Sequence, residues 1–167
     1  IMNFQLHTLP KSLRHTLTVF LLALSFGYFS GLDLLKHTTA FKVAGVEQNV
    51  LGTEMDEQAD ELHFKMSERE LQGLIHSHVV SLGMLFLMLS IIMYFSSYNE
   101  GIKYFLMLEP MVSLVVTFGG LWLLWSGAHW MKYVIMISGI LMHLSLVAII
   151  LLLLKDLLLH KSYFAKK

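Results

Sequence analysis

Apolar positions fall in four long blocks, at about 16–36, 71–95, 104–125 and 131–154, with brief polar breaks after the second and third and a longer acidic stretch after the first. Each block is long enough to cross a hydrocarbon layer of about 30 Å as a helix. The first follows Lys11 and Arg14 as a secretory signal would, but its apolar run is too long and no small-residue cleavage site follows, so an uncleaved helix is expected. Gly27 and Gly31 form a G-x-x-x-G pair that permits close helix contact. Ser67 followed by Glu70 is a capping-box pattern that starts the second helix before the membrane. Tyr98 to Gly101 closes it, Pro110 stands near the start of the third, Ser126 and Gly127 form a tight exit, and Lys155 and Asp156 close the fourth. Short connections make the last three helices antiparallel neighbours. The fold class is therefore an all-α membrane protein with four transmembrane helices in an up-down bundle.

Composition agrees: 56% of the 167 residues are hydrophobic and only 14% charged, so a single transmembrane domain over 1–167 is expected. A net charge of zero and the lack of a basic stripe give no reason to expect a nucleic-acid partner. The chain has no cysteine, which excludes thiolate-ligated clusters, covalently attached haem and disulfides. Any cofactor must be held by nitrogen, oxygen or thioether, and nine histidines supply nitrogen.

Lys11, Arg14, Lys103, Lys155, Lys161, Lys166 and Lys167 place both termini in the cytoplasm of a cell inner (plasma) membrane by the positive-inside rule. The loop at 38–70 then lies outside. Its acids are Glu47, Glu54, Asp56, Glu57, Asp60, Glu61, Glu68 and Glu70, set against Lys42, Lys65 and Arg69. It reads either as a solvated linker or as a docking face for a basic soluble electron carrier. Met55, Ala59, Leu62 and Met66 recur at helical spacing, which suggests a short helix lying on the bundle.

On this topology His37, His63, His76, His78 and His129 lie near the outer side. His7, His15 and His160 are interfacial or solvated on the inner side, and His143 alone is central. A histidine at mid-membrane depth is expensive unless something uses its nitrogen. His129 and His143, fourteen residues apart, share one face about 21 Å along the axis if the helix is continuous. That face carries Met136, Gly139 and Ile150, and Gly139 leaves room for a ring.

His76 and His78 lie about 200° apart on a helix and cannot bind one ion together. His76 joins a stripe of small residues with Gly83, Ser90 and Ser97 and is expected to face inward. His78 shares a face with Leu82, Leu85, Leu89 and Ile92, expected to meet lipid, the outer interface or a neighbouring subunit. Glu109, Ser113, Gly120 and Gly127 form the stripe of the third span. Asp33 and His37 are spaced so that a carboxylate can orient an imidazole.

Two axial histidines on facing helices, small residues beside a ring and an apolar sheath are what haem b requires. His76 with His143, His37 with His76, or His129 with an outer partner are the candidate iron ligands. The chain resembles four-helix membrane b-type cytochromes, and the His129–His143 spacing resembles that in cytochrome b of quinol:cytochrome c reductases. Position 90, fourteen after His76, is serine, so the second histidine pair of that family is missing. The resemblance implies electron transfer between a membrane quinol and an outside acceptor, within a larger respiratory complex. The alternatives are a cofactor-free structural or assembly subunit packed with other membrane subunits or copies of itself, and a metal transporter using His76, His143 and Met136. Glu109 would carry protons if it lay inside the bilayer. Pro110 suits a first helical position, however, which makes Glu109 an interfacial end residue.

Overall fold

The structure is a computed structural model that describes residues 5–53 and 63–159. After a single 3-10 turn at Leu6–Thr8 come α1 (Lys11–Thr39), α2 (Val43–Leu51), α3 (Glu68–Tyr94), α4 (Glu100–Trp125) and α5 (Met131–Leu159), and no strand occurs among the described residues. α1, α3, α4 and α5 are long and apolar enough to cross a membrane. Each extends beyond its apolar block because local capping sets where a helix ends, while hydropathy marks only the buried stretch.

The caps are visible in the sequence. At α3, Glu70 N–H donates to Ser67 Oγ at 3.3 Å and Ser67 N–H returns to Glu70 Oε2 at 2.8 Å, a closed capping box. At α4, Asn99 Oδ1 accepts from Gly101 N–H at 2.8 Å. That cap starts α4 ten residues before Pro110, so Pro110 is internal to the helix rather than its first residue. Between α1 and α2 the chain turns through Ala40 and Phe41, both left-handed (φ 49° and 55°). Gly45 then passes so close that a Cβ would lie 2.0 Å from the Thr39 carbonyl oxygen.

Five cross-helix contacts fix the register. Ser90 Oγ donates to the Met107 carbonyl at 3.2 Å, and the His78 ring stacks on Phe118 at 5.2 Å between centroids. Thr117 and Ser138 share a hydrogen bond of 2.8 Å. Tyr28 lies against His143 at 5.7 Å, and the Arg14 guanidinium donates to the Leu157 carbonyl. Successive spanning helices are thus antiparallel, and the start of α1 meets the end of α5 at one end of the bundle, here the terminal end. α2 caps the other, burying Val46 and Val50 against Leu124, Met131 and Ile135.

Phe86, Leu89 and Met93 of α3, Leu114 and Phe118 of α4, and Met142, Leu146, Ile149 and Leu153 of α5 form the main core. Leu89 and Ile92, expected to meet lipid, are buried here. The packed face of α3 recurs every seven residues through Ile75, Leu82 and Leu89 and through Val79, Phe86 and Met93, one position beside the small stripe. Ser90 of that stripe is buried and Gly83 half-buried, but His76 is open. Aromatic residues ring both ends, with Trp122, Trp125 and Tyr133 towards α2 and Tyr94, Tyr98 and Tyr104 at the terminal end. Tyr104 and Trp122 are eighteen residues apart on α4, about 27 Å. Ser113 therefore lies midway between the two aromatic belts.

α1 is attached by a narrow stripe. Leu17, Leu21, Leu24 and Tyr28 pack on the core, while Val19, Ala23, Gly27, Ser30, Leu34 and His37 on the opposite face are exposed.

Candidate functional site

The histidines do not converge. His143 is half-buried on the flank of α5 that meets α1, with Nδ1 2.6 Å from the Gly139 carbonyl and its ring against Tyr28. A Cβ at Gly139 would meet nothing within 4 Å. His76 is exposed, contrary to its expected inward face, and lines a shallow groove with Gln72, Ile75, Val79, Val80 and Trp122. His78 is the member of the pair that meets a neighbouring helix, through Phe118.

Register separates the two favoured ligands. Ser90 opposite Met107 and Thr117 opposite Ser138 set His143 level with Leu85 of α3, nine residues from His76. Nine residues are about 13 Å along the axis, whereas two axial ligands of one iron must face each other across it. His37 stands at the height of His76, but it occupies the face of α1 that points away from the bundle.

His129 has another partner. Its Nδ1 is 2.9 Å from Glu47 Oε1, and Lys132 Nζ is 2.5 Å from Glu47 Oε2, so both tie α2 to the end of the bundle. Residues 126–130 form a turn in which Gly127 has φ 106°, and α5 begins only at Met131. The helix is therefore not continuous from His129, and the fourteen-residue relation to His143 is not one of a shared helical face. The hydrogen bond from Lys132 holds the Glu47 carboxyl below the usual carboxylate range, with His129 adding to the effect against a partial opposing contribution from burial.

Of the acidic loop, Met55, Ala59 and Leu62 lie outside the described residues, as do Glu54, Asp56, Glu57, Asp60 and Glu61. Met66 is not helical: its N–H donates to the Val50 carbonyl at 3.1 Å and its carbonyl accepts from Trp125 Nε1 at 2.7 Å. Thr53 and His63, on either side of 54–62, are joined by Thr53 N–H to the His63 carbonyl at 2.8 Å. Gly52 permits this approach, since a Cβ there would lie 2.6 Å from that same carbonyl oxygen.

Glu109 is where the structure departs most from the interfacial position expected of it. It is only 8% exposed, one helical turn from Ser113 and near the middle of the bundle's thickness. Ser113 Oγ donates to Glu109 Oε1 at 2.5 Å, and the buried Oε2 has no hydrogen-bond partner. Thr117, one turn further, continues the line to Ser138 of α5, and Ser145, two turns from Ser138, is also buried. Gly120 completes the contact, because a Cβ there would come within 2.8 Å of Ile135. The stripe Glu109, Ser113 and Gly120 was legible as an inward face; Thr117 extends it at the same four-residue spacing. His37 Nε2 lies 3.7 Å from Asp33 Oδ2 on the outer face of α1, beyond the reach of the hydrogen bond by which a carboxylate orients an imidazole.

Neither the curated proteins nor the solved structures include a match to this chain. Residues 40–163 match a family described as a transmembrane helical domain. That stretch runs from the turn before α2 past the end of α5, and so takes in the α2 cap and the α4–α5 seam. The chain belongs to this family of transmembrane helical domains.

Proposed function

We propose that the chain is a subunit of a larger assembly in the cell inner membrane, with its termini in the cytoplasm, and that α1 is the helix by which it joins its neighbours. The Asp33–His37 pair carries this reading. Both side chains are largely exposed, at 70% and 76%, on the face turned away from the bundle. Tyr28 opposite His143 and Arg14 opposite Leu157 set Asp33 level with Ser138, inside the belts. Ionisable groups at that depth are costly against lipid and characteristically face protein or an aqueous cavity. Ala23, Gly27 and Ser30 on the same side let another helix approach closely, and a Cβ at Gly27 would meet nothing within 4 Å.

Protein taken from its native membrane in mild detergent is expected to run as an oligomer or with a co-purifying membrane subunit. Gly27→Leu with Gly31→Leu, or Asp33→Asn, should weaken the association about tenfold, equivalent to about 1.4 kcal/mol, while leaving the fold intact by circular dichroism. A monomeric wild type with no neighbour in cross-linked membranes would overturn the proposal.

A haem-bearing subunit is the second reading, favoured by the bond between His143 Nδ1 and the Gly139 carbonyl. With Nδ1–H donating there, Nε2 presents the lone pair that an axial ligand uses. The second axial ligand would come from an adjoining chain, since the described residues level with His143 on α1, α3 and α4 are Tyr28, Leu85 and Val112. A dithionite-reducible b-type spectrum lost in His143→Ala would support this; a colourless, folded protein from haem-replete cells would count against it.

A further inference from the structure

We propose that Glu109 is a proton-exchange site at the middle of the membrane, its Oε2 taking up and releasing one proton between the carboxylate and carboxylic acid forms. This goes beyond the assembly role and does not depend on it. Three observations meet at this residue. The side chain is buried on the α4 face that carries Ser113, Thr117 and Gly120, Oε1 is satisfied by Ser113, and Oε2 is buried without a partner. A buried carboxylate in that state carries both an uncompensated charge and an empty acceptor, and an added proton removes the charge.

Pro110 supplies the rest of the chemistry. It has no N–H, so the Leu106 carbonyl, one turn towards the terminal end on the same face, lacks its usual helical donor and offers an acceptor for an O–H. On the other side the hydroxyls of Ser113, Thr117 and Ser138 continue the line, each able both to donate and to accept. The seam therefore presents oxygen on both sides of one carboxyl group.

The neighbouring ionisable groups are placed elsewhere. On α4, Lys103 is 2.6 Å from Glu100 and donates to the Tyr94 carbonyl. On α5, Lys132 is held by Glu47 at the α2 end, His143 lies against Tyr28 on the α1 flank, and Lys155 and Asp156 are at the terminal end, where Asp156 accepts from Ser97. On α3, His78 is stacked on Phe118 and His76 is turned outward. The nearest cation on α4 is thus already paired, and a proton is the smallest charge that completes the site.

Dicyclohexylcarbodiimide partitions into lipid and reacts with the protonated carboxyl group, so it reads the site in the unmodified chain. Full-length protein in lipid nanodiscs should acquire an adduct that peptide mass spectrometry maps to Glu109, forming more slowly as the pH is raised and unaffected by sodium. Glu109→Gln should lose that adduct and, in infrared difference spectra, the matching protonated-carboxyl band. No adduct at Glu109, or one whose rate ignores pH, overturns the proposal. Protection by sodium overturns it too, because the occupant would then be a metal cation.

Discussion

At the scale of single residues, Glu47 shows how one carboxylate decides where an element sits. It accepts from Lys132 at 2.5 Å and approaches His129 at 2.9 Å, joining α2 to both the turn before α5 and α5 itself. Its acidity in the folded chain is strengthened, chiefly by the Lys132 hydrogen bond. A carboxyl with a lowered folded pKa contributes stability that is fully present above its unfolded value, about 4.3 for glutamate, and is lost as the pH falls through the folded value. Amide-exchange protection in α2 is therefore expected to hold at neutral pH and to fall only as the pH drops below about 4.3, while α4 and α5 keep theirs. Glu47→Gln should lower α2 protection already at neutral pH and remove most of the acid-dependent step. Equal α2 protection in wild type at neutral pH and near pH 3 would show that the ion pair does not hold the element.

At the scale of elements, the sequence was most readable where one local rule acted alone. Ser67 and Glu70 announced the start of α3 because a capping box is written in four adjacent residues. The four spans were readable because lipid demands about twenty apolar residues in a row. Misreadings arose where two rules competed. Pro110 suggested a helix start, yet a membrane helix tolerates an internal proline when neighbours or side chains serve the freed backbone groups, and Asn99 had already capped α4. Pro110 read alone puts Glu109 at an interface, whereas its stripe with Ser113 and Gly120 points inward. His129 and His143 matched a helical spacing, but Gly127 turns the chain between them and α5 starts after His129. His76 faces outward because the packed face of α3 runs through its neighbours Ile75 and Val79, one position beside the stripe of small residues. α2 is not legible in the sequence because its apolar positions, Val46 and Val50, find their partners only on α4 and α5.

At the scale of the molecule, the two aromatic belts state what thickness of membrane the bundle fits. Tyr104 and Trp122 bracket α4 at a separation of eighteen residues, about 27 Å, and their neighbours on adjoining helices, Tyr94 and Tyr133, stand at matching heights. Between the belts the exposed surface of α4 and α5 is apolar, with Val112, Val115, Ile137, Ile140 and Leu144 all open. Beyond the α2 belt the polar contacts of Glu47, Lys65 and Lys132 begin, and beyond the other those of Asp156 and Ser97. A thicker bilayer would press lipid tails against these polar ends, and a thinner one would leave apolar side chains in water. Each ångström of mismatch costs a fraction of a kcal/mol. Because α1 is held by a single stripe, it should respond first, by tilting or detaching, while α3, α4 and α5 move together around their shared core. Thermal unfolding in nanodiscs of graded acyl-chain length should therefore give its highest midpoint near a 27 Å hydrocarbon layer. Distance measurements between labels on α1 and α5 should change with thickness more than those between α4 and α5. A midpoint that rises steadily up to the thickest bilayer would mean that the belts do not mark the membrane boundaries.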